Sequence, residues 1–273
     1  MRKTPTITIV SPSYNQAAYL ERTLLSVISQ RDHVHEYFVL DGGSTDGSRE
    51  LIEKHAAYID YWVSEKDGGQ SAAIVAGFAR ATGDIVFWLN SDDLLMPGAV
   101  SRVRESFAAH PTWDVLTGWS VFIDADDIIT RVNTVPRESS AWARHGILHV
   151  CQQTCYFRRS LYERVGGLDR SLHCSMDVDL WLKFFEHNAT WGHIPHLLGG
   201  FRLHELMKGR TLEEQYERER HVLAARYPWF PTRLSGVSPA RLAYRATRMW
   251  GLLSPQQRKL LRLAGKPVSA VES

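Results

Sequence analysis

The feature that most constrains the fold is a regular alternation of short apolar runs and helical segments across the first 95 residues. Runs rich in β-branched and aromatic residues, typical of buried strands, lie at 7–10, 37–40, 61–63 and 85–89. The spacing of apolar residues predicts helices at 17–30, 48–57 and 69–81, and a loop at 11–15. Strands that alternate with helices in this way form βαβ units, so we expect an α/β fold with a mainly parallel sheet.

Carboxylates follow two of these predicted strands. Asp41 ends the second run, and the adjacent pair Asp92 and Asp93 comes shortly after the fourth. The carboxyl ends of parallel strands meet at one edge of the sheet, where the ligand crevice of such folds lies. Adjacent carboxylates repel each other, and their hard oxygen atoms suit Mg²⁺ or Mn²⁺ bound together with a phosphate. The pattern therefore indicates water or a cation beside Asp92 and Asp93, whereas Asp46 is interpreted as a helix cap.

The second half of the chain is less regular. Strands are predicted at 113–119 and 120–129 around a turn at 124–126, another strand at 154–158, and a helix at 177–187. Leu180, Trp181 and Phe184 follow Asp177 at helical spacing. This spacing predicts that Asp177 lies on the inward face of the helix and that Asp179 points elsewhere.

Composition limits the class of protein. The chain has 273 residues, of which 44% are hydrophobic, and a net charge of +2, so we expect a soluble protein with a core and no nucleic-acid partner. Three cysteines, an odd and sparse set, argue against a disulfide framework and for a reducing compartment. No stretch approaches the roughly 18 to 20 apolar residues of a membrane helix. We therefore expect a cytoplasmic protein.

Basic residues dominate the chain between 233 and 266. Eight lysines and arginines interleave there with apolar residues, and no acid follows before Glu272. One interpretation is a helical pair that packs on the domain with a solvated basic face. The other is a surface for anionic lipid, which would bring the protein to the cytoplasmic face of a membrane as a peripheral partner. The sequence favours the first interpretation and leaves the second open.

Motifs for calcium and for dinucleotides can be excluded. The stretch 41–47 has Gly43, Thr45 and Asp46 where a calcium loop needs acid, acid and glycine. Neither G-x-G-x-x-G nor G-x-x-x-x-G-K-[ST] occurs. A Rossmann dinucleotide site or a P-loop would therefore lack its phosphate-binding glycines.

Five motifs, in this order, resemble the family 2 glycosyltransferases. They are SPSYNQAAYLERTLLSVISQ, VLDGGSTDGS, SEKDGGQSAAIVAGFARATGDIVFWLNSDD, GGLD and SMDVDLWLKF, and with FRLHELMKG they cover roughly residues 7–210. The resemblance implies the GT-A fold, a Rossmann-like, mixed but mainly parallel sheet flanked by helices. It implies a domain at 1–210, with a nucleotide-binding half at 1–95 and an acceptor-binding half at 96–210. A C-terminal helical extension would follow at 211–273.

The resemblance also implies residues that bind the nucleotide-sugar donor. They are Pro12, Ser13, Tyr14, Asp41, Asp67, Asp92, Gln152 and Arg202. Asp41 matches the strand-end acid that hydrogen-bonds the base, and Arg202, with Lys208 nearby, matches a segment that reaches the diphosphate. Asp67 stays open between a helix cap and a donor contact.

The same resemblance implies a divalent metal cofactor, Mn²⁺ or Mg²⁺. Asp93 matches the metal ligand of the family's D-x-D motif, and Asp92 the ribose contact or a second metal ligand. His204 belongs to the segment that reaches the metal. Asn90 stands where the family usually has the first acid of the motif.

Catalysis is implied for Asp177, which matches the general base, with Trp181 as the aromatic that lines the acceptor side. We therefore expect an inverting enzyme that transfers a sugar from a UDP- or dTDP-sugar. The expected acceptor is a hydroxyl of a glycan or lipid-linked saccharide, in cell-surface polysaccharide assembly.

Two alternatives differ from this expectation. A nucleotidyltransferase that makes sugar nucleotides would need a basic, glycine-rich loop after the first strand, but residues 11–16 contain no basic residue. A catalytically inactive nucleotide-sugar-binding protein would have no need of Asp41, Asp92, Asp93 and Asp177 together.

Overall fold

The computed structural model describes residues 4–205, 212–230 and 255–271. Its strands are β1 Ile7–Ser13, β2 Glu36–Asp41, β3 Tyr61–Ser64, β4 Ile85–Trp88, β5 Leu94–Leu95, β6 Val115–Ile123, β7 Ile129–Asn133, β8 Tyr156–Arg158 and β9 Trp191–Arg202. Its helices are α1 Ala17–Ile28, α2 Ser48–Lys54, α3 Gln70–Arg80, α4 Ala99–Ala109, α5 Ser140–Ala143, α6 Arg159–Arg164, α7 Met176–Glu186, α8 Glu213–Arg226 and α9 Pro255–Leu261.

The nine strands form one sheet in the order β3-β2-β1-β4-β8-β6-β9-β5, and β7 pairs with β6. The neighbours β3, β2, β1 and β4 are parallel, which confirms the βαβ prediction for the first half. Antiparallel β8 then joins this half to β6 and β9, which are parallel to each other. The result is the mixed α/β sheet that the sequence predicts.

The first strand is longer than predicted. Residues 11–13, expected in a loop, continue β1, and Pro12 pairs with Leu40 of β2. Pairing with β4 on the other side stops at Val10, opposite Trp88. Beyond Val10, β1 is therefore an edge strand on the β4 side. The missing N–H of Pro12 costs no hydrogen bond between strands there, so proline is tolerated.

The boundary between the two strands predicted at 113–129 is also wrong. A single strand, β6, covers most of this stretch, and the chain turns after it into β7. The turn itself lies where it was predicted, because the Asp124 side chain accepts hydrogen bonds from the backbone N–H groups of Asp126 and Ile128.

The core lies on both faces of the sheet. Ile9 and Phe87 point into a cluster with helices α1 and α4, whereas Val10 and Trp88 point into a cluster with α3 and α7. Successive residues of one strand are therefore both buried. This explains why the strands of the first half are continuous apolar runs without alternation.

The C-terminal segments pack on this fold. Helix α8 lies against α7, and Leu260 and Leu263 pack on a cluster that contains Trp119 of β6. The basic residues Lys259 and Arg262 are exposed. Four of the eight basic residues of the predicted surface lie at 231–254, outside the described residues, as does Lys208, and the domain boundary at 210 stays a prediction. Within the described ranges no helix is both long and apolar enough to cross a membrane.

Two neighbouring glycines of β9 provide a test of how closely this strand packs. A Cβ atom on Gly199 would lie 2.3 Å from the backbone oxygen of Gln153, whereas one on Gly200 would lie no closer than 3.5 Å to its neighbours. We expect Gly199→Ala to lower the free energy of unfolding by about 1–3 kcal/mol through overpacking. Gly200→Ala is the matched control and should change it little. Urea unfolding measures both, and equal stability of the two variants would contradict the close packing.

Candidate active site

A cavity of about 1030 Å³ opens at the carboxyl ends of β1 and β4. One wall comes from these strand ends and the loop after β2, and the opposite wall from the segment before β8, the start of α7 and helix α8. The residues on its walls that were predicted as site residues are Pro12, Ser13, Tyr14, Asp67, Asp92, Gln152 and Asp177. The strand-end geometry therefore brings together residues that are far apart in the chain.

The side of the cavity next to β1 forms a slot. Tyr14 is 63% exposed although its ring lies beside the main chain of the loop after β2. A Cβ atom on Gly42 would lie 3.2 Å from the Tyr14 ring and 3.3 Å from Oδ1 of Asp67. An exposed aromatic ring, a glycine and a carboxylate thus border one narrow space. Asp67 also accepts a hydrogen bond from the Gly69 N–H at 2.7 Å, so its cap interpretation fits as well.

Asp41 is buried and does not line the cavity. Its carboxylate accepts hydrogen bonds from the N–H and hydroxyl of Ser44 at 2.8 and 2.5 Å and from the hydroxyl of Ser64 at 2.7 Å. These bonds hold the loop that carries Gly42. The structure therefore places Asp41 behind the slot, and direct contact with a base stays a prediction.

The two adjacent carboxylates after β4 point in different directions. Asp92 lines the cavity, and its Oδ2 accepts a hydrogen bond from Nε2 of the buried His204 at 3.0 Å. Asp93 is 0% exposed. Its oxygen atoms accept bonds from Nε2 of Gln153 at 2.6 Å, Nδ2 of Asn90 at 3.2 Å and the Arg202 N–H at 2.9 Å.

This geometry favours Asp92 over Asp93 as the carboxylate that meets a ligand, and the metal role of Asp93 stays a prediction. Burial, and then the neighbouring charge of Asp92, raise the pKa of Asp93 well above its usual range. A carboxyl group that is fully enclosed by donors is part of the scaffold. Asp92 is the carboxylate of the pair that lines the cavity and that a ligand there can reach.

Arg202 is also placed differently from the prediction. Its side chain is buried and absent from the cavity walls. Nε donates to the carbonyl of Asp92 at 2.7 Å, and Nη1 donates to the carbonyl of Asp124 at 2.8 Å and pairs with Asp127 at 2.5 Å. Arg202 therefore supports the backbone of Asp92 from behind, and the structure does not bring it to a diphosphate in the cavity.

A chain of amide side chains crosses the floor of the cavity. Nδ2 of Asn90 donates to Asp93 and, at 3.2 Å, to Oε1 of Gln152. Oδ1 of Asn90 accepts from Nε2 of Gln70 at 2.7 Å, and Gln152 donates to the carbonyl of Trp88 at 2.6 Å. Sequence reasoning missed Gln70, and it missed Gln153 although Gln152 was selected. Neither has a local signal, because their partners lie 20 and 60 residues away.

Asp177 lies in the first turn of α7, half-buried and on the cavity wall. Asp179, expected to point elsewhere, is fully buried on another side of the helix, where it pairs with Lys183 at 2.9 Å and Arg226 at 2.6 Å. Trp181 is buried and absent from the cavity walls. Its ring stacks on that of Trp88 at 5.7 Å, so it supports a cavity residue from below and does not form the predicted acceptor surface itself.

The metal prediction can be compared with the donor atoms present. Within the described ranges no three His, Cys, Asp or Glu side chains come together as a metal cluster. Asp92 provides one ligand on the cavity wall, whereas His204 is buried, absent from the cavity walls and donates through Nε2 to Asp92, so its metal role stays a prediction. Mg²⁺ is commonly held by one or two protein carboxylates together with substrate phosphates. The residues therefore fit a cation that is bound jointly with a diphosphate, and do not fit an all-protein metal site.

Comparison with known proteins supports the resemblance. The family model described as glycosyl transferase family 2 matches residues 8–166. An uncharacterised glycosyltransferase of Nostoc sp. is 30% identical over 173 residues, which are 60% of this chain and 54% of that protein. The chain thus spans about half the length of this relative. The undecaprenyl-phosphate 4-deoxy-4-formamido-L-arabinose transferase of Aeromonas hydrophila is 36% identical over 117 residues, 40% of this chain and 35% of that protein.

Solved structures confirm the fold class. S. aureus TarS 1–349 in complex with UDP-GlcNAc aligns with a TM-score of 0.63 and 17% identity, over 81% of this chain and 66% of that one. The mannosyltransferase PcManGT of Pyrobaculum calidifontis, in complex with GDP-Man and Mn²⁺, aligns with a TM-score of 0.57 and 19% identity. That alignment covers 96% of this chain and 84% of the other.

The role of the Asn90 amide can be tested by replacing it with a carboxylate. Asn90→Asp would remove the donor to Asp93 and add a third carboxylate, so we expect a loss of about 1–3 kcal/mol of unfolding free energy at pH 7. An acid whose folded pKa is raised favours the fold below its unfolded pKa, and loses that advantage as the pH rises through the folded pKa. The loss should therefore shrink as the pH is lowered from 7.

Chemical unfolding of both proteins at several pH values measures this loss. The double variant Asn90→Asp/Asp93→Asn, which restores one amide beside one carboxylate, is the control and should recover part of the stability. Equal stability of Asn90→Asp and the unaltered protein at pH 7 would show that the amide is not needed there.

Proposed function

We propose, since the chain belongs to glycosyl transferase family 2 and is a glycosyltransferase, that it transfers a sugar from a UDP- or dTDP-sugar to an acceptor hydroxyl with inversion. The observation that carries the proposal is that two carboxylates, Asp92 and Asp177, line one cavity from different elements. Asp92 follows β4 and has His204 beside it, whereas Asp177 begins α7. Transfer needs one group for the leaving diphosphate and another for the acceptor proton.

The donor is proposed to bind along the β1 side of the cavity. The Tyr14 ring is exposed on the cavity wall, and a flat base would stack on its exposed face beside the loop that carries Gly42 and Asp67. Asn90 and Gln152 on the cavity floor offer amide groups to sugar hydroxyls. The UDP-GlcNAc complex of the TarS structure supports a uridine nucleotide, and the GDP-Man complex of the mannosyltransferase makes GDP the main rival.

Asp92 is proposed to hold a divalent cation, Mn²⁺ or Mg²⁺, together with the donor's diphosphate, with the buried His204 as the hydrogen-bond partner of its carboxylate. A bound cation would neutralise the negative charge that grows on the leaving group. The carbonyl of Asp92 is fixed by Arg202, so the carboxylate is presented from a rigid backbone. The Mn²⁺ complex of the mannosyltransferase supports this assignment.

Asp177 is proposed as the general base. An acceptor hydroxyl is a weak nucleophile, and a carboxylate placed to take its proton contributes roughly 10² to 10⁴-fold in rate. Inversion needs only this one base, on the face of the sugar opposite the leaving group. No covalent intermediate on the enzyme is required, in contrast to a retaining glycosidase.

The acceptor is proposed to be a glycan or a lipid-linked saccharide of the cell envelope. Support comes from the Aeromonas hydrophila relative, which is named as an undecaprenyl-phosphate transferase. A peripheral membrane contact through the basic C-terminal segment stays part of this proposal. The family match disfavours both the nucleotidyltransferase and the inactive binding protein.

The base can be tested by Asp177→Asn. The amide cannot accept the proton, so we expect turnover to fall by about 10² to 10⁴-fold, while donor binding changes little. A panel of UDP-, dTDP- and GDP-sugars with Mn²⁺, assayed by release of the nucleoside diphosphate and by calorimetry, measures both quantities. Asp126→Asn, an exposed acid in the β6–β7 turn, is the matched control. Normal turnover by Asp177→Asn would refute the assignment.

The metal site can be tested by comparing the two adjacent aspartates. Asp92→Asn should remove the gain in UDP or dTDP affinity that Mn²⁺ provides, by about tenfold or more. Asp93→Asn should keep that gain and lose stability instead, because Asp93 is enclosed by scaffold donors. Calorimetric titration of each variant with and without Mn²⁺, together with thermal unfolding, separates the two effects. If only Asp93→Asn lost the Mn²⁺ effect, the assignment made from the sequence would be correct after all.

A further inference from the structure

Glu219 of α8 is a charged side chain that is buried, with 2% of its surface exposed. Its Oε1 accepts hydrogen bonds from the N–H of His173 at 2.8 Å and from Nε2 of Gln215 at 2.7 Å. Its Oε2 accepts from the N–H groups of Cys174 and Ser175 at 2.9 and 2.7 Å. One carboxylate therefore occupies three successive backbone donors.

These three donors directly precede α7, whose first turn carries Asp177. Successive N–H groups that converge in a turn form a site for an anion, and the N-terminus of a helix adds a positive field of its own. The chain supplies the anion itself. Burial opposes ionisation of Glu219, but the bonds from Gln215 and the backbone outweigh it and lower its pKa, so the group is charged at neutral pH.

Helix α8 is held in this position by charges more than by apolar packing. Of its fourteen residues only Glu219 and Leu223 are buried. Near its end, Arg226 pairs with Asp179 of α7 at 2.6 Å and with Asp169 at 2.8 Å. A helix with so little apolar surface docks here because its polar groups fit α7, and that docking sets the location of the Glu219 carboxylate.

Tyr216 interacts with both carboxylates. It is one turn before Glu219 and lines the cavity together with Asp177. Burial, and then the charges of Asp177, Cys174 and Glu219, raise the pKa of Tyr216 to about 12. Cys151 and Cys155 also interact electrostatically with Asp177 from the segment before β8. Among these groups Glu219 is the one that also touches the backbone before α7.

The N-terminus of a helix stabilises an ionised acid and thereby makes it a weaker base. A negative charge among the preceding donors opposes that field. We propose that Glu219 is a positioning residue for Asp177: it fixes the turn at 173–175 and offsets the positive field of the α7 N-terminus, so that Asp177 takes up a proton more readily. This inference rests on the proposed function, because it assumes that Asp177 is the base.

The full-length protein labelled with ¹³C at the aspartate carboxyl carbon provides a readout that needs no substrate. The signal of Asp177 is identified by its disappearance in Asp177→Asn, and its pKa is read from an NMR titration. Removal of the Glu219 charge beside the turn that leads to Asp177 should lower the pKa of Asp177 in Glu219→Gln by about one unit. The acid limb of the pH–rate profile for nucleoside diphosphate release should move to lower pH by the same amount.

Variants of the same helix separate charge from structure. Glu219→Asp keeps the carboxylate, so the pKa of Asp177 should stay close to its value in the unaltered protein. Glu213→Gln changes an exposed acid on α8 and should leave the pKa of Asp177 unchanged. If Glu219→Gln does not fold, Glu219→Ala, which leaves room for water at the three N–H groups, makes the same comparison. An unchanged pKa of Asp177 in the charge-free variant would overturn the inference. Failure of the proposed function would be seen separately, as normal transfer by Asp177→Asn.

Discussion

The buried carboxylate of Asp93 is the interaction on which the site depends. It receives a backbone N–H from Arg202 at the end of β9 and side-chain donors from Gln153 and Asn90. The backbone oxygen of Asp93 in turn accepts from the hydroxyl of Thr23 in α1 at 2.7 Å. One residue therefore ties β4, β9, α1 and the segment before β8 together. A buried carboxyl group is costly unless its hydrogen-bond partners are in place, so these elements are held in one arrangement.

This arrangement also resolves the repulsion between two adjacent acids. With Asp93 turned into the scaffold, Asp92 is left on the cavity wall, and its backbone is fixed by Arg202. His204, two residues further along the same segment, supplies a donor to the Asp92 carboxylate. A pair that looks like a single motif in the sequence is therefore divided between one structural acid and one acid that a ligand can reach.

The first half of the fold could be predicted because its signals are local: buried parallel strands are continuous apolar runs, and the helices between them show their period within a dozen residues. The different roles of Asp92 and Asp93 could not be predicted. They depend on hydrogen bonds from Gln153 and Arg202, whose positions follow from those of β8 and β9 in the sheet. The spacing of apolar residues in α7 predicts that Asp177 lies on the same face of the helix as Leu180. It could not show that this side opens into the cavity at the first turn, or that Arg226 buries Asp179.

The electrostatics of the cavity come largely from the last third of the chain. The family match ends at residue 166, before Asp177, His204 and Glu219. Asp92 and Asp177 each have one polar partner from this region: His204 beside Asp92, and Glu219 at the turn that leads to Asp177. The strand-end loops form the other wall of the cavity. In the proposed function, the affinity of Asp92 for positive charge and the readiness of Asp177 to take a proton would be set by segments that pack on the first half of the sheet from outside. Changes in these segments would then alter the chemistry without altering the strands of the first half.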